Sequence, residues 1–218
     1  MMQQATKIGK DFWRGLSHLW LPQLCEGCRQ PLHEREKVLC LSCFQELPFV
    51  HFHDDPLNAV TVRIAGRIPF QHASAFALFS GDGLLQHLLH RLKYNRRKEI
   101  GDFLGRQAAY GLQDSNWVEE IEGIVPVPLH GKKQAWRGFN QTEVIAKGMA
   151  DVLAVPVFEK LLIRTRKTES QTTKTREERE ENVRDAFALS KSYAEFGNAE
   201  RHLLLIDDVL TTGATLEA

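Results

Sequence analysis

Residues Leu203 to Thr215 read LLLIDDVLTTGAT, and this stretch decides the fold expected of the whole chain. Its four leading apolar residues, Leu203 to Ile206, predict a strand that is buried on both faces, as in a parallel sheet. Asp207 and Asp208 follow where the strand ends, and paired carboxylates can hold vicinal hydroxyls or a metal-bound sugar. The small, hydroxyl-rich turn after them can enclose an anion with backbone N–H groups and side-chain hydroxyls. Acids for a diol beside a cradle for an anion predict a ribose 5-phosphate site.

The stretch from Leu203 to Thr215 resembles the motif with which type I phosphoribosyltransferases bind phosphoribosyl pyrophosphate (PRPP). The alternative is a buried strand entering a solvated Thr/Gly turn, but a structural turn does not need two adjacent acids before two threonines. The resemblance implies that Asp207 and Asp208 hold the 2- and 3-hydroxyls of the ribose, directly or through Mg²⁺, which prefers oxygen ligands. The 5-phosphate would bind the loop that follows, made of Thr211, Thr212, Gly213, Ala214 and Thr215.

A second candidate anion site follows a strand predicted from Ile124 to Leu129. A basic loop with a glycine lies between this strand and a helix predicted from Val144 to Val152. In a parallel α/β sheet both loops can open at the carboxyl edge of the strands, where ligands bind. Such a loop alone is usually plain surface, but beside the C-terminal motif it is the expected diphosphate loop, with Lys132 and Arg137 in catalytic roles. Its candidate ligands are Lys132, Lys133, Arg137, Gly138, Asn140 and Gln141.

The four cysteines form two Cys-x2-Cys pairs, Cys25 with Cys28 and Cys40 with Cys43. Each pair can bring two thiolates to one side of a tight turn, so together they supply four ligands for a tetrahedral ion. Zn²⁺ is the predicted occupant, and its role is structural because four sulfur ligands leave no open position for water. A rubredoxin-like iron site shares this spacing and is the alternative. Two disulfides would need an oxidising compartment, which nothing else in the sequence supports.

Composition fits a globular α/β protein with a small appendage. The chain is 43% hydrophobic and 26% charged with a formal net charge of zero, so global charge favours neither nucleic acid nor membrane. We find no run of about 18 apolar residues and no apolar signal-peptide core, so we expect a cytoplasmic protein without a transmembrane segment. Residues 1–50 are expected to hold an amphipathic helix (Phe12 to Leu24) and the cysteine domain, and residues 51–218 the α/β domain.

A basic stretch ends the helix predicted by the leucine spacing from Leu84 to Leu92. It can contact phosphates of a nucleotide or of single-stranded DNA, with its tyrosine stacking on a base. The alternative is a solvated helix end favoured by the helix dipole, and the sequence does not decide between the two. The candidate DNA-binding residues are Arg91, Lys93, Tyr94, Arg96, Arg97 and Lys98.

Three further segments carry predictions. Val60 to Phe79 alternates in a strand-like manner, and Val155 to Ile163 is a candidate for the next strand. Arg164 to Thr175 lacks periodicity and is rich in hydroxyls, which favours a mobile flap over a solvated helix. A flap of this kind would keep water from a PRPP-bound reaction centre.

Together these pieces resemble the ComF/GntX family, whose members join an N-terminal zinc-ribbon-like segment to a type I phosphoribosyltransferase-like domain. The matching features include both cysteine pairs, the VPVPL sequence from Val125 to Leu129, the RGFNQ sequence from Arg137 to Gln141, and Asp207 to Thr215. The resemblance implies a parallel sheet flanked by helices and a role in competence and DNA uptake.

Two interpretations of that role remain open. One is transfer of a phosphoribosyl group to an unknown acceptor. The other is a non-catalytic component of DNA-uptake machinery that senses PRPP or binds single strands, with the zinc domain docking uptake proteins. The chain ends at Ala218, barely into the helix expected after the PRPP loop, so we expect that it is truncated there.

Overall fold

The computed structural model describes residues 22–129, 131–165, 186–191 and 200–218. The chain divides into two compact units, residues 1–47 and residues 48–218. The interpretation of these units as a zinc-ribbon-like domain and a phosphoribosyltransferase-like domain stays a prediction. Within the described ranges, no helix has both the length and the apolar character needed to cross a membrane.

The first unit is built around its cysteines. Leu24 and Pro31 form an isolated antiparallel bridge across the first cysteine pair, and a short helix, α1 (Leu41–Gln45), carries the second pair's last cysteine. Val38 and Leu39 are buried beside them, at 2% and 4% exposure. The helix predicted from Phe12 to Leu24 lies outside the described residues except for its last three positions, which are not helical.

The second unit contains a small parallel sheet made from the two predicted strands. β1 (Gly123–Pro126) pairs in parallel with β4 (Leu203–Ile206), so that Pro126 lies opposite Ile206. The carboxyl ends of both strands therefore meet at one edge. A second pair, β2 (Leu162–Arg164) and β3 (Phe187–Leu189), is antiparallel. Of the predicted strand Val155 to Ile163, only the bridge of Val157 to Ile124 and the start of β2 are extended.

β4 is less buried than its apolar sequence predicts. All four residues of β1 are buried, whereas in β4 Leu203, Leu204 and Ile206 are half-buried and Leu205 is 41% exposed. The expectation of burial on both faces was therefore wrong, and in the part of the chain that the structure describes β4 is also an edge strand, paired with β1 alone.

Helices flank this sheet. In chain order they are α2 (Ala59–Ile64), α3 (Leu84–Tyr94), α4 (Lys98–Leu112), a 3₁₀ turn (Val118–Glu120), α5 (Gly131–Arg137), α6 (Gln141–Leu153) and α7 (Ala214–Glu217). The helix predicted from the leucine spacing is present as α3, and four of the five leucines, Leu85, Leu88, Leu89 and Leu92, are buried. α4 and α6 approach so closely that a Cβ on Gly105 would lie 2.1 Å from the carbonyl oxygen of Ile145. Their contact therefore depends on residues without side chains.

The strand-like interpretation of Val60 to Phe79 was wrong at its start, where the structure forms α2. Asn58 caps this helix: its Oδ1 accepts hydrogen bonds from the backbone N–H groups of Val60 (2.8 Å) and Thr61 (3.1 Å). Val60 and Ile64, four residues apart, share the buried face, while Val62 is 64% exposed. A short alternating run can satisfy either period, and here the cap decides for helix.

Candidate functional site

The four cysteine sulfurs form one cluster. All four Sγ atoms lie within 4.8 Å of one another, and those of Cys28 and Cys40 are 3.7 Å apart. Four sulfurs at about 2.3 Å from a central Zn²⁺ would be separated by about 3.8 Å in a tetrahedron. The cysteines are free thiols rather than disulfides. The cluster therefore fits a structural zinc ion, held by Cys25, Cys28, Cys40 and Cys43.

Backbone N–H groups favour the thiolate at one of these ligands. Cys25 is buried, which opposes ionisation, but hydrogen bonds from the backbone of Cys40, Cys28 and Gly27 outweigh burial and lower the pKa of its thiol to about 7. The Cys40 N–H lies 3.3 Å from the Cys25 sulfur. A thiolate is the form that binds a metal, so this local geometry prepares the site for a cation.

The loop after β4 forms a shallow concavity that opens to solvent. It is lined by Asp207 and by the segment Val209 to Thr215. Gly213 has a φ of +86°, in the left-handed region, and a Cβ there would lie 3.2 Å from Ile64 and 3.3 Å from an Arg67 nitrogen. The positive φ favours glycine, and the two side chains would have to shift by a few tenths of an ångström to admit a Cβ. The predicted ribose-phosphate motif thus surrounds one open space, with one of its two acids on the wall.

The second acid is held by neighbours. The Asp208 carboxylate forms an ion pair with the Lys93 ammonium at 2.6 Å, and it accepts a 2.9 Å hydrogen bond from the Gln141 side-chain amide. The Gln141 carbonyl in turn accepts a hydrogen bond from Arg137, which is only 8% exposed. Asp208 therefore joins α3, α5 and α6 at the carboxyl edge of the sheet.

The first acid titrates near neutral pH. Burial, followed by the negative charge of Asp208, raises the pKa of Asp207 to about 7 from an ordinary value of 3.8. The Asp208 backbone N–H donates a 2.8 Å hydrogen bond to Asp207, and Lys93 and Arg164 favour its charged form, without offsetting these effects. The two adjacent acids consequently differ: Asp208 is paired with a cation, while Asp207 is poised between its two protonation states.

Four cations gather around these acids. Partial burial, and then the positive charges of Arg164, Arg137 and Lys93, lower the pKa of Lys133. Arg164 interacts electrostatically with Asp207 and stacks over the Phe187 ring at 5.1 Å. Positive charge thus exceeds negative charge here, which suits an anionic ligand.

Two arginines that sequence reasoning missed contact the backbone of the loop from Thr211 to Thr215. Arg63, in α2, donates to the carbonyl of Thr211, and Arg67 donates to the carbonyl of Thr212 at 2.6 Å. Arg67 also pairs with Glu217 in α7. No local pattern signals these contacts, because about 145 residues separate the partners. Two carbonyls of the loop are thus hydrogen-bonded to arginines from a distant part of the chain.

The predicted diphosphate loop is mainly helix, since its residues from Gly131 to Arg137 form α5. Lys132 and Lys133 lie on this helix and are exposed, and Gly138 follows with a φ of +84°. Asn140 is 1% exposed, and its amide donates to the carbonyl of Val127 at 3.1 Å. Asn140 thus links the end of β1 to the start of α6. In the other predicted anion loop, Ala214 is buried, at 8% exposure. Ligand contacts by these residues stay predictions.

The basic stretch does not form one exposed stripe. Lys93 is paired with Asp208, Arg97 with Glu99, and Lys98 lies over the Phe139 ring at 5.0 Å. Arg96 is exposed, Arg91 is half-buried, and Tyr94 is 53% exposed. Binding of single-stranded DNA by these residues stays a prediction. The predicted flap runs from Arg164 to Thr175. Only Arg164 and Thr165 belong to the described residues, and residues 166–175 lie outside them.

These features define a class: an α/β protein with a cluster of four cysteines that could hold a metal ion, and with two adjacent acids followed by a hydroxyl-rich loop at the carboxyl edge of a parallel strand pair. No family model and no solved structure matches the chain. Curated proteins do. DNA utilization protein YhgH of Salmonella typhi is 32% identical over 213 residues, which cover 91% of this chain and 89% of that relative.

Two other relatives agree. DNA utilization protein YhgH of Escherichia coli is 29% identical over 215 residues, covering 91% of this chain and 89% of the relative. Competence protein F of Haemophilus influenzae is 26% identical over 200 residues, covering 88% and 86%. The chain belongs to the ComF family, as its ordered motifs predict.

Proposed function

We propose that this protein binds PRPP together with Mg²⁺, transfers its phosphoribosyl group to an acceptor, and serves the uptake or use of DNA. One observation carries the proposal: a titrating carboxylate and a Thr-Thr-Gly-Ala-Thr loop line the same concavity. The loop offers hydroxyls and backbone N–H groups to a 5-phosphate, and Asp207 offers oxygen to the ribose hydroxyls. The groups for the 5-phosphate and those for the ribose hydroxyls lie a few residues apart in the chain, as a ribose 5-phosphate requires.

The surrounding cations support a diphosphate rather than a simple sugar phosphate. Burial works against the protonated forms of Lys133, Arg137 and Arg164, and at Lys133 the positive charges of Arg164, Arg137 and Lys93 add repulsion. A diphosphate would relieve this repulsion on binding, and the same charges would stabilise it as a leaving group. Lys132 would add a further charge from the exposed side of α5.

The two acids would divide the work. Asp208, already paired with Lys93 and Gln141, would position the cations, while Asp207 would contact the ribose. Carboxylate and hydroxyl oxygens suit Mg²⁺, which would neutralise diphosphate charge when bound. Because the pKa of Asp207 is about 7, its contact with ligand would strengthen as the pH rises through neutrality.

The printed names of the relatives support the biological context. They describe DNA utilization and competence, and we extend that context to this chain. In this proposal residues 51–218 form a type I phosphoribosyltransferase-like domain in the cytoplasm. Residues 1–50 form the zinc domain that docks a partner of the uptake machinery.

A non-catalytic PRPP sensor is the second candidate. It is favoured by the state of Asp208, whose charge is already neutralised by Lys93 at 2.6 Å, so that one motif acid is committed to protein contacts. The sensor and the enzyme share a binding site and differ only in whether pyrophosphate is released.

Calorimetry with Mg-PRPP tests the site. We expect binding by the wild type, loss of binding in Asp207→Asn, and unchanged binding in Asp151→Asn, a matched change at an exposed acid that pairs with Arg106. Absence of binding by the wild type would overturn both candidates. Pyrophosphate release across a panel of nucleobases and amines then separates enzyme from sensor.

A further inference from the structure

An aromatic corner lies beside the proposed PRPP site. It consists of His90, Tyr94 and Trp136. The Tyr94 and Trp136 rings meet edge to face, with centroids 5.9 Å apart and planes at 63°, and His90 lies 4.6 Å from Tyr94. Tyr94 is 53% exposed and Trp136 is 65% exposed. Two large rings thus contact each other while more than half of each residue stays exposed to water.

Contacts join the corner to the motif acids. The Arg137 guanidinium lies over the Tyr94 ring at 5.6 Å and donates to Gln141, whose amide donates to Asp208. Lys93, which directly precedes Tyr94, pairs with the same Asp208 carboxylate. The corner and the acids are therefore two sides of one connected cluster.

The chemistry of this arrangement favours one type of ligand. A water-exposed tryptophan face attracts flat, polarisable rings, and the neighbouring lysines and arginines favour a ligand that also carries phosphate. A nucleobase attached to ribose phosphate combines the two properties, and bases stack on aromatic side chains whatever their sequence. An aliphatic amine would interact with the indole face only through its positive charge, and the surrounding lysines and arginines would repel that charge.

We propose that the aromatic corner stacks a nucleobase, chiefly on Trp136, next to the ribose-phosphate site. The base comes either from a mononucleotide-sized ligand or from a single-stranded DNA segment. This inference rests on the proposed function for the phosphate-bearing side of the ligand. The stacking itself depends only on the corner.

Calorimetry on the full chain tests it with three probes: ribose 5-phosphate, adenosine 5′-monophosphate and an octadeoxyadenylate. The variant is Trp136→Ala, and the matched control is Tyr110→Ala, which removes a ring of similar exposure (52%) from α4. We expect Trp136→Ala to weaken a base-bearing probe by about tenfold and to leave ribose 5-phosphate unchanged. Tyr110→Ala should change none of them.

The outcomes distinguish the two proposals. Loss of affinity confined to adenosine 5′-monophosphate supports stacking of a mononucleotide, and loss confined to the octadeoxyadenylate supports stacking of a strand. Equal affinities of wild type and Trp136→Ala for both base-bearing probes overturn the inference, even where ribose 5-phosphate and Mg-PRPP bind. Failure of the wild type to bind Mg-PRPP and ribose 5-phosphate refutes the proposed function instead. In that case the comparison of wild type with Trp136→Ala in binding the octadeoxyadenylate still tests whether the aromatic corner stacks a base.

Discussion

Replacing Asp207 with asparagine should stabilise the folded protein at alkaline pH while abolishing PRPP binding. Burial and the charge of Asp208 raise the pKa of Asp207 from 3.8 to about 7, so the folded state holds this proton more tightly than the unfolded chain. Stability from this group is present below about pH 4 and is lost as the pH rises towards 7. Asparagine carries no charge and can keep the hydrogen bond that Asp207 accepts from the Asp208 N–H.

The size of the effect follows from the same pKa. Moving a carboxyl pKa from 3.8 to about 7 corresponds to about 4 kcal/mol at pH 8, at 1.4 kcal/mol for each tenfold change in proton affinity. At pH 5 the free-energy cost of the shifted pKa is less than half of its value at pH 8, because the carboxyl of the folded state is then still protonated. Rearrangement of solvent around the half-buried carboxylate lessens the cost, so we expect Asp207→Asn to gain about 1–4 kcal/mol at pH 8.

Urea unfolding of wild type and Asp207→Asn at pH 5 and pH 8 measures this gain. Asp151→Asn is the control, because its carboxylate is 60% exposed and its ion pair with Arg106 contributes less than about 1 kcal/mol. A gain that does not grow between pH 5 and pH 8, or a loss of stability at pH 8, would refute the reasoning. A variant that is stabilised yet binds Mg-PRPP like the wild type would show that the destabilising carboxylate has no part in binding.

Three other predictions concern the zinc cluster, the helix contact and the loop support. Metal analysis should find one zinc per chain, and Cys43→Ser should lower both the zinc content and the free energy of unfolding; iron in place of zinc would overturn the assignment. Gly105→Ala should destabilise by about 2–4 kcal/mol in urea unfolding because its Cβ would lie 2.1 Å from the Ile145 carbonyl oxygen. Gly111→Ala, in the same helix with nothing within 4 Å, should cost nothing, and equal effects would contradict the close-packing argument. Arg67→Met should weaken ribose 5-phosphate binding roughly tenfold in calorimetry by leaving a loop carbonyl without its donor; unchanged affinity would show that Arg67 does not support the loop.

Elements with a strong local pattern could be predicted from the sequence. The leucine stripe of α3 repeats at helical spacing over three turns, and the apolar runs of β1 and β4 have no helical alternative that fits their length. The strand prediction at Val60 to Ile64 failed because Val60, Val62 and Ile64 alternate over too few residues to exclude a helix. Its outcome depended on the Asn58 cap, whose amide also donates to the carbonyls of Phe52, Asp55 and Ala73.

The sequence by itself determined the parts whose members are neighbours in the chain. The two cysteine pairs and the stretch from Asp207 to Thr215 hold their candidate ligands within short segments, so spacing alone predicts a metal cluster, which the four clustered sulfurs fit, and an anion-binding loop, which stays a prediction. Only the tertiary structure decided which acid faces the concavity, that Lys93 neutralises Asp208, that Arg67 supports the loop, and that Trp136 meets Tyr94. These pairings join residues far apart in the chain, and their geometry depends on how helices pack around the sheet rather than on any local pattern.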